Sequence, residues 1–178
     1  MIAADVTTMP TVSPSRSDDV AIRIAVPEDA DAVYRLIYDN VEAGHLLPRP
    51  LAEVVQHAPR FLVGVDSSGV VACAELNELG PHLAEVRSLV VSETRRGHGV
   101  GTRMLSDIST LAQARGYPML CAFAHDPRPF VRLGFSIVPH QWVPEKISTD
   151  CHTCVWFRRC RQYAVVLDLT KLSRRSAT

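Results

Sequence analysis

Residues 85–116 constrain this chain more than any other stretch, because a β-strand, a glycine-rich loop and an amphipathic helix follow one another there without a break. From Glu85 to Val91 the pattern has period two: Val86, Ser88 and Val90 share one face, and Glu85, Arg87, Leu89 and Val91 share the other. Past the loop, Val100, Met104, Leu105, Ile108, Leu111 and Ala112 recur at helical spacing, opposite Arg103, Asp107 and Arg115, and Gly116 supplies a stop. Between them, Gly97, Gly99 and Gly101 let main-chain amides turn toward one point at a helix N-terminus, where the macrodipole favours an anion. A pyrophosphate suits such a seat, and Arg95 and Arg96 could add charge to it. The loop has neither a Gly-Lys-Ser/Thr P-loop ending nor a Gly-x-Gly-x-x-Gly with a downstream acid, so the nucleoside triphosphate and dinucleotide readings lose ground.

The rest of the chain suits one mixed sheet. Residues 20–25 read as a first strand, and Pro27-Glu28-Asp29 opens a helix whose buried stripe is Ala30, Val33, Leu36, Ile37 and Val41. Gly44, Pro48 and Pro50 make residues 43–50 a shaped loop, and residues 51–57 a short second helix. Residues 60–65 and 70–77 form a hairpin about the Asp66–Gly69 turn. Strands at 119–124, 135–138 and 162–168, with a short helix at 126–133, complete an α/β (α+β) pattern with a mixed central sheet flanked by helices. At 178 residues this is one domain, over 20–170, with tails at 1–19 and 171–178.

Composition removes several classes of function. Nineteen basic and nineteen acidic side chains cancel, leaving no global field for nucleic acid or an anionic membrane. No apolar run nears the ~18 residues of a membrane span. The first residues carry neither a basic nor an apolar segment of the secretory kind, and five cysteines suggest a reducing cytoplasm rather than a disulfide framework.

Arg96-Gly97-His98-Gly99-Val100-Gly101 resembles the Arg/Gln-x-x-Gly-x-Gly/Ala loop of the GCN5-related N-acetyltransferases, the GNAT family, which holds the pyrophosphate of acetyl-CoA. Leu89, Val90 and Val91 precede it as in that family, and Phe130-Val-Arg-Leu-Gly-Phe135 is similar to the family's helix-to-strand junction. The resemblance implies the GNAT acyl-CoA N-acyltransferase fold, acetyl-CoA as co-substrate, and cofactor contacts from residues 89–91 and from Arg96, Gly97, His98, Gly99, Val100, Gly101 and Thr102.

Within the family, Leu47-Pro48-Arg49, Glu85-x-Arg87-Ser88-Leu89 and Pro144-x-Lys146-Ile-x-x-Asp150-Cys151-x-x-Cys154-x-x-Phe157-x-x-Cys160 look like bacterial single-domain N-acetylglutamate synthases. That likeness spans residues 22–169 and implies acetylation of the α-amine of L-glutamate, the first step of arginine biosynthesis. It makes Arg49, Arg87 and Lys146 the contacts for the substrate carboxylates. Glu85, on the face of Arg87, is the candidate base, acting through water. The backbone amide near Val91 would polarise the thioester carbonyl.

A tyrosine often stands where this chain has Phe130, so no catalytic acid is assigned; Tyr117, Cys121 and water stay open. Other acceptors, namely another small amine or a protein N-terminus, also stay open, as does a non-catalytic acyl-CoA-binding module. A small-molecule partner is expected, and a homodimer is compatible with the sequence. Cys151, Cys154 and Cys160, with His152 or His140 as a fourth ligand, make an incomplete structural zinc pattern, because only one dipeptide-spaced pair exists. Reduced packing cysteines are the alternative, and no metal is assigned.

Overall fold

A computed structural model describes the chain at residues 19–42, 46 and 48–171. Most of both expected tails, and residues 43–45 and 47 of the shaped loop, lie outside these residues.

The strands are β1 (Ala21–Ile24), β2 (Phe61–Asp66), β3 (Gly69–Gly80), β4 (Leu83–Val91), β5 (Met119–Ala124), β6 (Ser136–Val138) and β7 (Tyr163–Asp168). They form one sheet in the order β1-β2-β3-β4-β5-β7-β6. Four antiparallel strands run from β1 to β4, and the connection from β4 to β5 is the single parallel step, made through a helix as parallel pairing requires. The helices are α1 (Ala30–Glu42), α2 (Leu51–Gln56), α3 (Val100–Ala114), α4 (Arg128–Arg132) and α5 (Pro144–Thr149).

The expected strand-loop-helix unit is therefore β4, the glycine loop and α3. Of the stripe read from sequence, Val100, Met104, Leu105, Ile108 and Ala112 are buried and Leu111 packs beside them. Full burial of each of the larger ones, Val100, Met104, Leu105 and Ile108, stabilises the fold by roughly 1.5–3 kcal/mol. They meet Ala72, Ala74, Leu76, Ala84 and Val86 from one face of the sheet, with Phe130 of α4 and Phe135 completing the layer. Ala30, Val33 and Ile37 of α1 and Val54 of α2 cover the other face, over Phe61, Val63 and Cys73.

Element boundaries agree with the sequence reading to within a few residues, except for α5. Pro144–Thr149 forms a helix, and single helical turns follow at Cys151–Thr153 and Phe157–Arg159. Hydrophobic periodicity cannot find segments this short. No helix among the described residues is long and apolar enough to cross a membrane.

Candidate active site

β4 and β5 pair only as far as Val86 with Ala122. Immediately beyond, Arg87 faces Glu75 and Val90 faces Cys73, so three steps along β4 are matched by two along β3. The extra residue is a β-bulge, and Ser88 within it adopts a left-handed φ of 49°. The two parallel strands part there. A cleft of about 990 Å³ opens between them, with Val86, Ser88, Leu89 and Val90 on one side and Phe123, Ala124, His125 and Phe130 on the other. The bulge also corrects the expected alternation of β4. Val86, Leu89 and Val91 pack with the α3 layer, whereas Val90 packs with the α1 layer. An inserted residue shifts side-chain parity by one, so the face sharing predicted for Val86, Ser88 and Val90 ends at the bulge.

The glycine loop follows the strand end. Gly97 and Gly99 have φ of 78° and 79°, a region where a Cβ would be strained even though open space surrounds both. Gly99 caps α3 without a side-chain acceptor, which leaves the first-turn N–H groups of Val100, Gly101 and Thr102 without an intrahelical partner. His98 donates from Nδ1 to the Arg96 carbonyl at 2.8 Å, stiffening the turn.

The arginines differ from expectation. Arg95 is bound to Asp66, its Nε 2.6 Å from Oδ2. Arg96 donates through Nε to the Val91 carbonyl at 3.0 Å and through Nη2 to Asn40 Oδ1 at 2.8 Å. Both guanidinium groups are engaged in tying strand ends to neighbouring elements.

In the cleft between β4 and β5, Arg49, Glu85, Arg87 and Lys146 come together, as members of an ionic network. Lys146 Nζ sits 2.6 Å from Glu85 Oε1 and 2.6 Å from Asp150 Oδ2. Glu85 is 2 % exposed, and its burial pushes the carboxyl above the usual range, while the charges of Lys146 and Arg87 pull it back. Arg87 makes only loose pairs, 3.7 Å to Glu85 and 3.6 Å to Asp150, and its side chain is 28 % exposed.

Arg49 is held differently. It is bonded to the fully buried Glu75 and to Glu53, it reaches Ser88 Oγ at 3.3 Å, and its side chain is only 6 % exposed. His57 Nδ1 donates to the second Glu75 oxygen at 3.0 Å. Glu53, Glu75, His57 and Asp150 were not singled out from sequence. Glu75 left a signal, a lone acid on an otherwise apolar run from Val70 to Leu76, and Asp150 stood in the motif beside Cys151 without a role; Glu53 and His57 left none.

The open question of a proton donor narrows. Phe130 is buried against Phe135 in an edge-to-face contact at 5.4 Å. Tyr117 lies near the start of β5 and donates to Glu78 at 3.1 Å, away from the cleft lining. Cys121 pairs with Glu85 across β4 and β5 but is fully buried, and burial drives its thiol far above the ordinary range. The thiols that do face the cleft are Cys151, Cys154 and Cys160, all free.

Residues 28–135 match the acetyltransferase (GNAT) family. The chain belongs to that family, and this makes it an acetyl-CoA-dependent N-acetyltransferase with the GNAT fold. It is similar to an uncharacterized N-acetyltransferase of Chlorobaculum tepidum, 26 % identical over 85 % of this chain and 97 % of that protein. Among solved structures it is similar to N-acetylglutamate synthase from Neisseria gonorrhoeae complexed with coenzyme A and N-acetyl-glutamate, at 25 % identity and a TM-score of 0.76. That match covers 85 % of this chain but 35 % of the synthase, so the chain spans about a third of that relative's length. Rv2747 of Mycobacterium tuberculosis, solved with CoA, is 20 % identical with a TM-score of 0.72, covering 83 % of this chain and 98 % of that one.

Proposed function

We propose that the chain transfers the acetyl group of acetyl-CoA to the α-amine of L-glutamate. The observation that carries this reading is the arrangement of Arg87 and Lys146 beside Glu85 in the cleft that opens where β4 and β5 part. The diphosphate of the carrier would sit on the amides of Gly97 to Thr102, beside Arg96, which orders the loop. The pantetheine would run along the unpaired edge of β4 past Leu89, Val90 and Val91, whose N–H groups can polarise the thioester carbonyl.

A glutamate carboxylate would then meet Arg87, the least committed cation of the three. A second would exchange with Glu85 or Asp150 for Lys146. Arg49, already bonded to two carboxylates, supports the wall more than it offers a free charge. Glu85 would take the ammonium proton through water, and attack on the carbonyl then expels the CoA thiolate, which water can protonate. The resemblance to glutamate-acetylating relatives supports the choice of acceptor, and such activity would place the enzyme at the start of arginine biosynthesis in the cytoplasm.

A second reading keeps the chemistry and changes the acceptor. Four carboxylates, Glu53, Glu75, Glu85 and Asp150, surround the three cations Arg49, Arg87 and Lys146. An acceptor with one carboxylate and a second cationic group would suit that balance better than a diacid. Thiol release measured over single amino acids decides between them. L-glutamate should give the highest kcat/KM, with Arg87→Ala raising its KM and leaving that of acetyl-CoA unchanged. Preference for a basic or neutral amine would replace the proposal with the second reading.

A further inference from the structure

The structure assigns Cys151, Cys154, Cys160 and His140 as a four-ligand site for a thiophilic divalent cation of the zinc type. The first observation is the state of the segment that carries the thiols. None of residues 151–161 is buried, and Val155, Trp156 and Phe157 are 88 %, 59 % and 47 % exposed. Ordering each residue costs about 1–2 kcal/mol of backbone entropy, and this stretch has no core to offset it. Small segments in that position need a staple. No disulfide supplies one.

The second observation is independent of the cysteines. His140 Nε2 is buried with no hydrogen-bond partner, while its ring stacks on Phe123 at 5.4 Å. A buried nitrogen without a partner costs about 1–3 kcal/mol, and an orphan of this kind calls for a ligand. His140 lines a cavity of about 520 Å³ together with Cys151 and Cys160. A helical turn closed by the Cys154 N–H on the Cys151 carbonyl at 3.1 Å puts the remaining thiol one turn away. Three thiolates and one imidazole make a complete tetrahedral donor set for zinc. The single dipeptide-spaced pair, incomplete as a sequence pattern, gains its other two ligands from Cys160 and from a histidine eleven positions before Cys151.

Among the described residues the side chains do not yet converge on one point. Convergence requires movement of the three thiol-bearing residues, of which Cys160 is exposed and Cys151 and Cys154 are half-buried. On binding, the three thiols release their protons to solvent and the cation takes four ligand bonds. The site would clamp the cleft wall next to Asp150, the partner of Lys146.

The test uses the full chain, reduced, stripped with chelator and titrated with Co²⁺. Tetrahedral thiolate-cobalt bands should saturate at about one equivalent and vanish on adding Zn²⁺. In the unaltered protein, Zn²⁺ should slow alkylation of Cys151, Cys154 and Cys160 at least about tenfold, a readout that requires no variant to fold. Cys154→Ser, Cys160→Ser and His140→Ala should each weaken the metal at least about tenfold, as loss of even an outer partner does. Absent bands with unprotected thiols overturn the site. Unchanged affinity in His140→Ala overturns the four-ligand set.

Discussion

Lys146 Nζ lies 2.6 Å from Glu85 Oε1, joining a helix that follows the sixth strand to the middle of the sheet and placing the one deeply buried acid of the cleft beside a cation. Burial holds the Glu85 carboxyl above its ordinary range and Lys146 opposes that shift. A base works only when deprotonated, so activity should fall as pH drops through the raised value of Glu85. Lys146→Met removes the opposing charge and should move the acid limb of the kcat/KM profile to higher pH. Glu85→Gln should remove that limb along with most of the activity. An acid limb unmoved by Lys146→Met would show that another group is titrating.

The buried pair of Arg49 and Glu75 makes a prediction about stability. Arg49→Ala strands a fully buried carboxylate and should cost about 3–5 kcal/mol, measured by urea unfolding. Arg49→Ala with Glu75→Gln should recover part of that loss, because the uncompensated charge is gone. A purely additive double variant would mean that the two side chains do not interact in solution.

Gly99 and Gly101 stand two positions apart but differ in backbone conformation, and should respond oppositely to alanine. Gly99 has φ of 79°, so Gly99→Ala should cost about 1–2 kcal/mol and raise the KM for acetyl-CoA. Gly101 is inside α3, where an added Cβ meets only Val91 Cγ2 at an ordinary 3.6 Å. Gly101→Ala should leave stability equal or raise it by up to about 1 kcal/mol. Thermal unfolding and acetyl-CoA titration of both variants check this directly.

Ser88 tests whether the bulge makes the cleft. Its φ of 49° tolerates glycine but not a β-branched side chain. Ser88→Gly should keep the fold and most activity, whereas Ser88→Val should cost about 1–3 kcal/mol and reduce kcat/KM disproportionately. Equal activity in the two variants would separate the opening of β4 and β5 from the bulge.

Much of this molecule was legible in order along the chain. Apolar periods of two and 3.6 residues revealed nearly every long element, since burial of one face imposes those periods locally. The glycine turn was legible too, because a left-handed turn before a helix needs glycine wherever it occurs. Glu85, Arg87 and Lys146 could be named from resemblance alone, without their pairing. That pairing depends on which strands and helices become neighbours, and a charge read in sequence carries no record of its counter-charge.

The tertiary structure alone decided the rest. It turned Arg95 and Arg96 away from the loop toward Asp66 and Asn40, occupied Arg49 with Glu75, and reversed the parity of β4 at Ser88. Each of these follows from contacts between residues distant in the chain, where the lowest free energy comes from satisfying buried charge and strand geometry together. Local pattern specifies what a segment can form, and only packing settles which of its polar groups remain free for chemistry.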